Sequence, residues 1–306
     1  MPAWSRVVRG PAALAATIAG AGWLCAPLAA QQKVPLVLNH LVIVLDSATY
    51  GDVRNSPFMR EQFAGHDSTE VSAVGSRAAT RYFGKYNYFM LVHPAGRVAL
   101  AGDVEIVLGV EAPGALPALA QAAGLRRGQS YPPRDFDGPQ ENLSEPADFL
   151  RGVDDVAWPA GDDSTSSHAR FRIMQYGDAM ATRLARFDSL PAANRTNVRF
   201  LARYYQPHRL LSHLSGATLA IPAADIAKIA RVLERDSATV LHEGEGVIVK
   251  LDGFTLHLIP SWTGAGVKQL QFALTREAMA NPVYRFGPHS QLRFGPGPIA
   301  VWDFNQ

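Results

Sequence analysis

The sequence predicts an α+β protein made of repeated units, each with one strand, one helix and three further strands. Strand-like apolar runs dominate the chain, and only a few segments have apolar residues at helical spacing. The order strand, helix, strands begins near Val34 and starts again near Val104, Thr218 and Lys268. Four cycles of one pattern indicate an internal repeat.

The first unit opens with an apolar strand over Val34–Leu45, which has the composition of a central strand covered on both faces. The helical stretch after it is interrupted by Ser56 and Pro57, a pair typical of an N-cap followed by proline in the first turn. We therefore expect two short helices there. Three strands are predicted to follow, at Thr69–Val74, Thr80–Lys85 and Tyr88–His93.

The three later units follow the same pattern. A helix is predicted over Pro113–Ala123, and an amphipathic helix is predicted around Ile226 and Leu233. The strands expected in these units are Glu105–Glu111, Thr218–Ile221, Val247–Leu251, Phe254–Ile259, Lys268–Leu274 and Ala300–Phe304.

The units group into two domains. The first is predicted over residues 34–212 and contains two units, while a smaller second domain covers residues 213–306. Within the first, residues 128–167 are dense in Pro, Gly, Asp and Ser and are too long for an ordinary connection. This insertion is either a lid over a site or a disordered surface excursion.

The N-terminal segment has the layout of a secretory signal peptide. Arg6 and Arg9 precede an uncharged run rich in Ala and Leu that ends in Leu28-Ala29-Ala30. Residues 1–30 are therefore predicted to be cleaved and the protein to be exported, to the periplasm or beyond the cell. Leu28 stands where a small residue is preferred, which leaves an uncleaved N-terminal anchor as the alternative.

Removal of that segment changes the composition of the protein. The full chain has 29 basic and 27 acidic residues, and the segment holds two arginines and no acid, so the remainder carries 27 of each. This balance does not favour nucleic acid as a partner, and no membrane association is expected after cleavage. The only cysteine, Cys25, leaves with the segment, which excludes disulfides, thiol nucleophiles and thiolate metal sites.

His40 is the most informative candidate functional residue, because it stands inside the apolar run Leu38–Leu45. Burying an imidazole without a partner costs free energy, so the ring should have a hydrogen-bonding neighbour or a ligand. Glu105 begins the second unit, six residues before Glu111, as His40 stands six before Asp46. Equal spacing on equivalent strands predicts that His40 and Glu105 lie on the same face. An ordinary core histidine is the alternative for His40.

Several common enzyme classes are excluded by the absence of their motifs. The chain has no Gly-x-Ser-x-Gly nucleophile elbow, no phosphate-binding loop and no dinucleotide fingerprint. His242-Glu243 begins like a zinc-protease motif, but the second histidine is missing at the helical spacing. His257 is expected to be an ordinary half-buried histidine.

The repeated strand–helix–three-strand units resemble the build of the vicinal oxygen chelate (glyoxalase/dioxygenase) superfamily. Several stretches also resemble an uncharacterised family of glyoxalase-like bacterial proteins: Leu38-Asn39-His40 with Leu45-Asp46, Thr49-Tyr50, Ser56 with Phe63-Ala64, and the aromatic run Tyr82–Phe89. The likeness covers mainly residues 36–111. It implies repeated βαβββ modules paired into cupped mixed sheets, and edge-to-edge pairing in that superfamily leaves a homo-oligomer open.

The resemblance also implies which residues face the cup. Enzymes of the superfamily hold a divalent metal with a histidine at the position of His40, and they often have a second histidine where this chain has Glu105. They place a glutamate on the module's closing strand, where Met90 aligns, so one carboxylate is missing. The last ligand would come from a strand near Val198–Tyr205, which leaves Tyr205 and His208 as candidates.

Three functions therefore remain open. The first is an exported protein that binds a small, partly apolar molecule around His40 without a complete metal site, with Glu105, Met90, Tyr88, Tyr205 and His208 as further ligand-binding candidates. The second is a divalent-metal-dependent lyase or dioxygenase that uses His40 and Glu105. The third is a structural or interaction protein with no ligand. The aromatic rings near Tyr88 favour a partly apolar ligand over a highly charged one.

Overall fold

The fold is known from a computed structural model. It describes residues 35–72, 76–94, 100–111, 115–116, 119, 130–131, 150–156, 167, 169–175, 196–235, 238–279 and 282–304. The predicted signal peptide lies outside the described residues. So do most of the predicted helix at Pro113–Ala123 and most of the insertion at residues 128–167.

Two mixed sheets of eight strands each form the protein, with few helices. This arrangement confirms the predicted α+β class. The first sheet contains β1 Leu36–Val44, β2 Gly65–Ser72, β3 Ser76–Phe83, β4 Tyr88–Val92, β5 Val104–Val110, β6 Ser130–Tyr131, β7 Leu150–Val156 and β8 Ala169–Gln175, in the spatial order β2-β3-β4-β1-β5-β8-β7-β6. The second contains β9 Leu211–Ile221, β10 Thr239–Glu243, β11 Gly246–Leu251, β12 Phe254–Pro260, β13 Gly266–Leu274, β14 Val283–Phe286, β15 Ser290–Phe294 and β16 Ile299–Phe304, in the order β10-β11-β12-β9-β13-β16-β15-β14.

The described helices are α1 Ser47–Asn55, a single π-helical turn at Met59–Phe63, α2 Thr196–Leu201 and α3 Ala223–Arg235. The predicted pair of short helices in the first unit is confirmed. The Asp46 carboxylate caps α1 by accepting from the Thr49 N–H at 2.9 Å, and the Ser56 hydroxyl accepts from the Met59 N–H at 3.3 Å. Among the described residues, no helix has both the length and the apolarity needed to cross a membrane.

The crossover helices explain the strand directions. In the first unit α1 and the π turn follow β1, and β4 then lies parallel to β1. In the third unit α3 follows β9, and β12 lies parallel to β9. Parallel neighbours need such a crossover, because a hairpin reverses the chain.

The fourth unit departs from the predicted pattern. Residues 275–279 and residue 282, the described part of the connection from β13 to β14, contain no helix. Strands β14, β15 and β16 then follow as antiparallel neighbours, and β16 lies antiparallel to β13. The expectation of a complete fourth strand–helix–three-strand unit was wrong, because without a crossover the chain returns in the opposite direction.

A second correction concerns Val198–Tyr205, which was predicted to be the closing strand of the second unit. This stretch forms α2 and the turns after it, and β8 is the strand that lies parallel to β5. Phe200 and Leu201 are consecutive and both buried, and Asn197, one helical turn earlier, is buried as well. Such spacing fits one side of a helix better than one face of a strand.

One apolar core joins the two sheets. The Phe89 ring on β4 lies 5.4 Å from the Phe272 ring and 6.4 Å from that of Trp302, both in the second sheet. Residues Lys33–Gln306 form a single compact unit. The second sheet begins at Leu211, close to the predicted boundary at residue 213; the division into two domains stays a prediction. Each sheet thus buries one face in this core and turns its other face away from it.

Candidate ligand site on the first sheet

An irregularity in β1 decides which way His40 points. The pairing of β1 with β5 shifts between Leu38 and His40, so Asn39 is an extra residue in the strand. Before it, Leu36 and Leu38 belong to the shared core; after it, the core residues are Leu41, Ile43 and Leu45. Asn39 and His40 therefore both lie on the side of the sheet that faces away from the core.

Cross-strand partners define the surface around His40. On β4, Tyr88 lies opposite His40 and Met90 lies opposite Val42. On β5, Glu105 lies opposite Val42. Because side chains of paired residues share a face, we call the surface formed by His40, Val42, Arg81, Tyr88, Met90, Glu105 and Arg172 the His40 face. The structure thus brings His40, Tyr88, Met90 and Glu105 onto one face, as the equal spacing predicts for His40 and Glu105.

The His40 ring is held from two sides. It is stacked on the Tyr88 ring with centroids 4.5 Å apart and an interplanar angle of 15°. Its Nδ1 lies 2.7 Å from Asn39 Oδ1. The side chain is half-buried, and Nε2 has no hydrogen-bonding partner among the described residues.

Hydrogen bonds connect this ring to α2. Asn39 Nδ2 donates to Asn197 Oδ1 at 2.9 Å, and Asn197 Nδ2 donates to the Tyr86 carbonyl at 2.7 Å. Asn39 and Asn197 are each only 1% exposed. A buried amide must satisfy its polar atoms within the protein, so this chain of bonds has little freedom to rearrange.

The site keeps its histidine and its tyrosine uncharged. Burial, followed by the positive charges of Arg172 and Arg81, lowers the pKa of His40 to about 3. Burial raises the pKa of the Tyr88 hydroxyl, and the Glu105 charge adds to this effect. At neutral pH the face therefore presents a neutral imidazole against a neutral phenol.

Ion pairs balance the charges on this face. Arg172 Nη2 lies 3.1 Å from Glu105 Oε1, and both side chains are less than a quarter exposed. Arg81, almost fully buried, lies 3.5 Å from the Asp67 carboxylate on β2. The guanidinium groups of Arg81 and Arg172 thus each have an acid beside them, whereas Arg170, opposite Glu105 on β8, is exposed.

A divalent metal does not fit the described residues. Among them, no group of three or more His, Cys, Asp or Glu side chains could hold a metal ion. Glu105 is paired with Arg172, and the residue opposite Val42 on β4 is Met90, which has no carboxylate. A thioether is a poor ligand for the hard divalent cations, and two protein ligands fall short of the three that catalytic zinc sites use.

Tyr205 and His208 lie in the turns after α2, not on a strand. The His208 side chain is exposed, and its backbone carbonyl accepts from Arg276 Nη1 at 2.9 Å. The neighbouring Tyr204 instead stacks on Phe83, with ring centroids 4.6 Å apart. Phe83, Tyr88, Phe200 and Leu201 form a small cluster through which α2 covers one end of the His40 face.

Four residues of the site were missed from the sequence: Asn39, Arg81, Arg172 and Asn197. A signal existed for Asn39, because two adjacent polar residues inside an apolar strand indicate a bulge. Arg81 lies within the predicted strand Thr80–Lys85, so the sequence could also have placed it on a strand. Arg172 and Asn197 come from segments whose partners follow only from the tertiary fold.

The fold and this face define a two-sheet α+β protein with a candidate small-molecule site. The chain belongs to DUF5829, a family of unknown function, whose model matches residues 38–304. No match was found among curated proteins.

Solved structures with similar folds were also found. A hypothetical protein from Staphylococcus aureus has a TM-score of 0.45 at 9% identity, covering 82% of this chain and 95% of its own. A mutant of 4-hydroxymandelate synthase from Streptomyces coelicolor has a TM-score of 0.40 at 14% identity, covering 77% and 69%. A xylose isomerase-like TIM barrel/4-hydroxyphenylpyruvate dioxygenase fusion protein has a TM-score of 0.40 at 15% identity, covering 82% and 40%. These likenesses are too distant to carry functional detail.

Proposed function

We propose that this protein is an exported, glyoxalase-like protein that binds a small, partly apolar molecule on the His40 face without a complete metal site. One observation carries the proposal. A half-buried neutral imidazole lies on the side of the sheet that faces away from the core, with one ring nitrogen bonded and the other without a partner among the described residues. An imidazole nitrogen without a protein partner on such a surface can accept a hydrogen bond from a ligand.

The surroundings of the ring favour a ligand of mixed character. Val42 and Met90 supply apolar surface beside the Tyr88 ring. The guanidinium groups of Arg81 and Arg172 are matched by Asp67 and Glu105, so these two groups offer little to a highly charged ligand. A small molecule with an apolar body and one polar group fits this set best.

Binding is favoured over proton transfer. A general base works best when its pKa lies near the working pH, whereas that of His40 is lowered to about 3. Such a ring accepts a hydrogen bond but holds a transferred proton poorly. The alternative of a divalent-metal lyase or dioxygenase requires Glu105 to leave Arg172 and a third ligand to be supplied.

The proposal is tested by titrating ¹⁵N-labelled protein with phenol, a small aromatic molecule with one hydroxyl. We expect saturable shifts of backbone amides on β1, β4 and β5, lost in His40→Phe and kept in the control His257→Phe on the second sheet. His257 is half-buried like His40, which makes the two exchanges comparable. If wild-type amides on these strands do not shift at all, the ligand-free structural role is the better description.

The metal alternative has its own measurement. Metal analysis of protein purified without chelator, followed by Mn²⁺ and Zn²⁺ titration, should give less than stoichiometric binding. Stoichiometric metal that disappears in His40→Ala and in Glu105→Ala would establish the metal-dependent enzyme instead.

Export is supported by the sequence of residues 1–30. Expression of the full chain in a Gram-negative host, with N-terminal sequencing of the periplasmic protein, should give a mature chain that starts at Gln31. Full-length protein retained in the membrane fraction would favour the uncleaved anchor.

A further inference from the structure

The neutral His40 ring has two tautomers, and the chain of hydrogen bonds to α2 determines which of them forms. The chain ends at the Tyr86 carbonyl oxygen, which can only accept. Asn197 must therefore turn its Nδ2 toward that carbonyl, which leaves its Oδ1 as an acceptor. Asn39 then donates through Nδ2 and has its own Oδ1 left for the ring.

An amide oxygen accepts, so the atom facing it must carry a proton. His40 Nδ1 lies 2.7 Å from Asn39 Oδ1 and is therefore the protonated nitrogen. In a neutral ring the second nitrogen, Nε2, then has no proton and offers a lone pair.

The alternative arrangement is costly. Rotating either amide by half a turn would place oxygen against oxygen or N–H against N–H in a buried region, where a lost partner cannot be replaced. Asn197 is also anchored by its backbone N–H, which lies 3.4 Å from a Glu111 carboxylate oxygen. Stacking on Tyr88 fixes the plane of the imidazole.

We infer that Asn39 and Asn197 are positioning residues that hold His40 in its Nδ1–H tautomer, so that the molecule bound on the His40 face must donate a hydrogen bond, from a hydroxyl or an N–H group, to Nε2. This inference rests on the proposed function and narrows the class of ligand. A carboxylate or an ether oxygen meets a lone pair at Nε2 and is disfavoured, whereas a neutral hydroxyl is accepted.

The tautomer is measured without any ligand. Long-range ¹H–¹⁵N correlation spectra of the free protein at pH 7 should show His40 Nδ1 with the shift of a protonated nitrogen and Nε2 with that of an unprotonated one. In Asn197→Ala, Asn39 is free to turn, so a fraction of the Nε2–H form should appear. The control Asn55→Ala changes an exposed asparagine at the end of α1 and should leave the His40 spectrum unchanged.

Ligand selectivity is measured with phenol and anisole, in which a methyl group replaces the hydroxyl proton. We expect anisole to bind at least tenfold more weakly to the wild type, and this ratio to fall in Asn197→Ala. If Asn197→Ala does not fold, Asn39→Ala replaces it, since it removes the amide oxygen that faces His40 Nδ1.

The outcomes separate the two proposals. A wild-type spectrum with a proton on Nε2 overturns the positioning role of Asn39 and Asn197, whatever binds. An Nδ1–H spectrum with equal affinities for phenol and anisole overturns the donor requirement. An Nδ1–H spectrum without binding of either probe supports the positioning role of Asn39 and Asn197. It contradicts the inference that the ligand is a hydrogen-bond donor and counts against the proposed function itself.

Discussion

The two sheets have the same strand order around their central strands, β1 and β9, but they present different side chains on the faces that turn away from the core. In the first sheet His40 lies opposite Tyr88, and the equivalent pair in the second is Gly216 opposite Thr255. One step along, Val42 and Met90 correspond to Thr218 and His257. The strand that follows contributes Glu105 in the first sheet and Gln269 in the second.

On the face of the second sheet that turns away from the core, polar side chains form hydrogen bonds with one another. Gln271 donates to Gln269, Gln269 donates to Asp303, and Asp303 accepts from Arg293. These side chains lie at or near solvent, and the Gly216 position offers no group to a ligand. Two sheets with a similar backbone arrangement thus have outer faces of different chemistry. The candidate site therefore depends on the side chains of the first sheet and on the cover that α2 gives to its outer face.

The largest expected difference between the faces concerns pH. The folded protein holds His40 with a pKa of about 3, and the unfolded chain returns it to about 6.5. Below about pH 6.5 the unfolded state binds a proton that the folded state does not, so stability falls as pH falls, by up to about 1.4 kcal/mol per pH unit. By pH 4, after allowance for partial exposure, the wild type should lose about 2–3 kcal/mol more than His40→Phe.

Urea unfolding at pH 7.5, 5.5 and 4.0 measures this difference. His66 and His213, whose pKa values are also lowered by burial, remain in both proteins and cancel in the comparison. His257→Phe, measured in the same way, gives the comparison with the second sheet. Parallel pH profiles for wild type and His40→Phe would mean that the ring accepts a proton in the folded state.

The second-largest difference is expected between the contributions of the ion pairs on the two faces to stability. Arg172→Leu leaves the largely buried Glu105 carboxylate without its guanidinium and should cost about 2 kcal/mol of unfolding free energy. Arg293→Leu removes the half-exposed partner of Asp303 on the second face and should cost less than about 1 kcal/mol. Urea unfolding at pH 7 measures the unfolding free energy that each arginine variant loses.

A second substitution sharpens this comparison. Adding Glu105→Gln to Arg172→Leu should recover part of the loss, because the unpaired charge is removed. Equal costs for the two arginine variants would show that the faces are equally solvated.

The smallest effect is expected for Gln269→Glu, which places on the second face the carboxylate that Glu105 provides on the first. It removes a donor to Asp303 and sets two acids side by side, at a cost below about 1 kcal/mol. Added salt should screen most of it. Unfolding curves at 0.05 and 0.5 M NaCl measure the change, and a loss that salt does not reduce would indicate a buried environment.

Local features were predictable from the sequence. The break in the first helical stretch follows from Ser56, a residue type that caps helix N-termini through its hydroxyl. In the structure this hydroxyl accepts from the Met59 backbone N–H. The α+β class follows from strand and helix periodicity in the same way. The six-residue spacings also placed His40 and Glu105 on one face, although the register shift at Asn39 contributes to that outcome.

Features that depend on distant partners were not predictable. Val198–Leu201 alternates enough to resemble a strand, but α2 is fixed by Asn197 meeting Asn39 and by Phe200 and Leu201 packing near Tyr88. Arg172 joins the site only because β8 lies beside β5, a pairing across more than sixty residues of chain. The direction of β16 depends on a crossover helix being absent from the described part of its unit.

The extra residue at Asn39 makes the effect of a deletion in β1 depend on where the deletion falls. Deleting Asn39 itself would leave Leu38, His40 and Leu41 in regular alternation against β5 and remove the hydrogen bond to Asn197. Deleting a residue after it, such as Leu41, would turn Val42 toward the apolar interior and expose Ile43 to water. Engineered versions of the protein can vary β1 in composition, but they should preserve the number of residues between His40 and Val44.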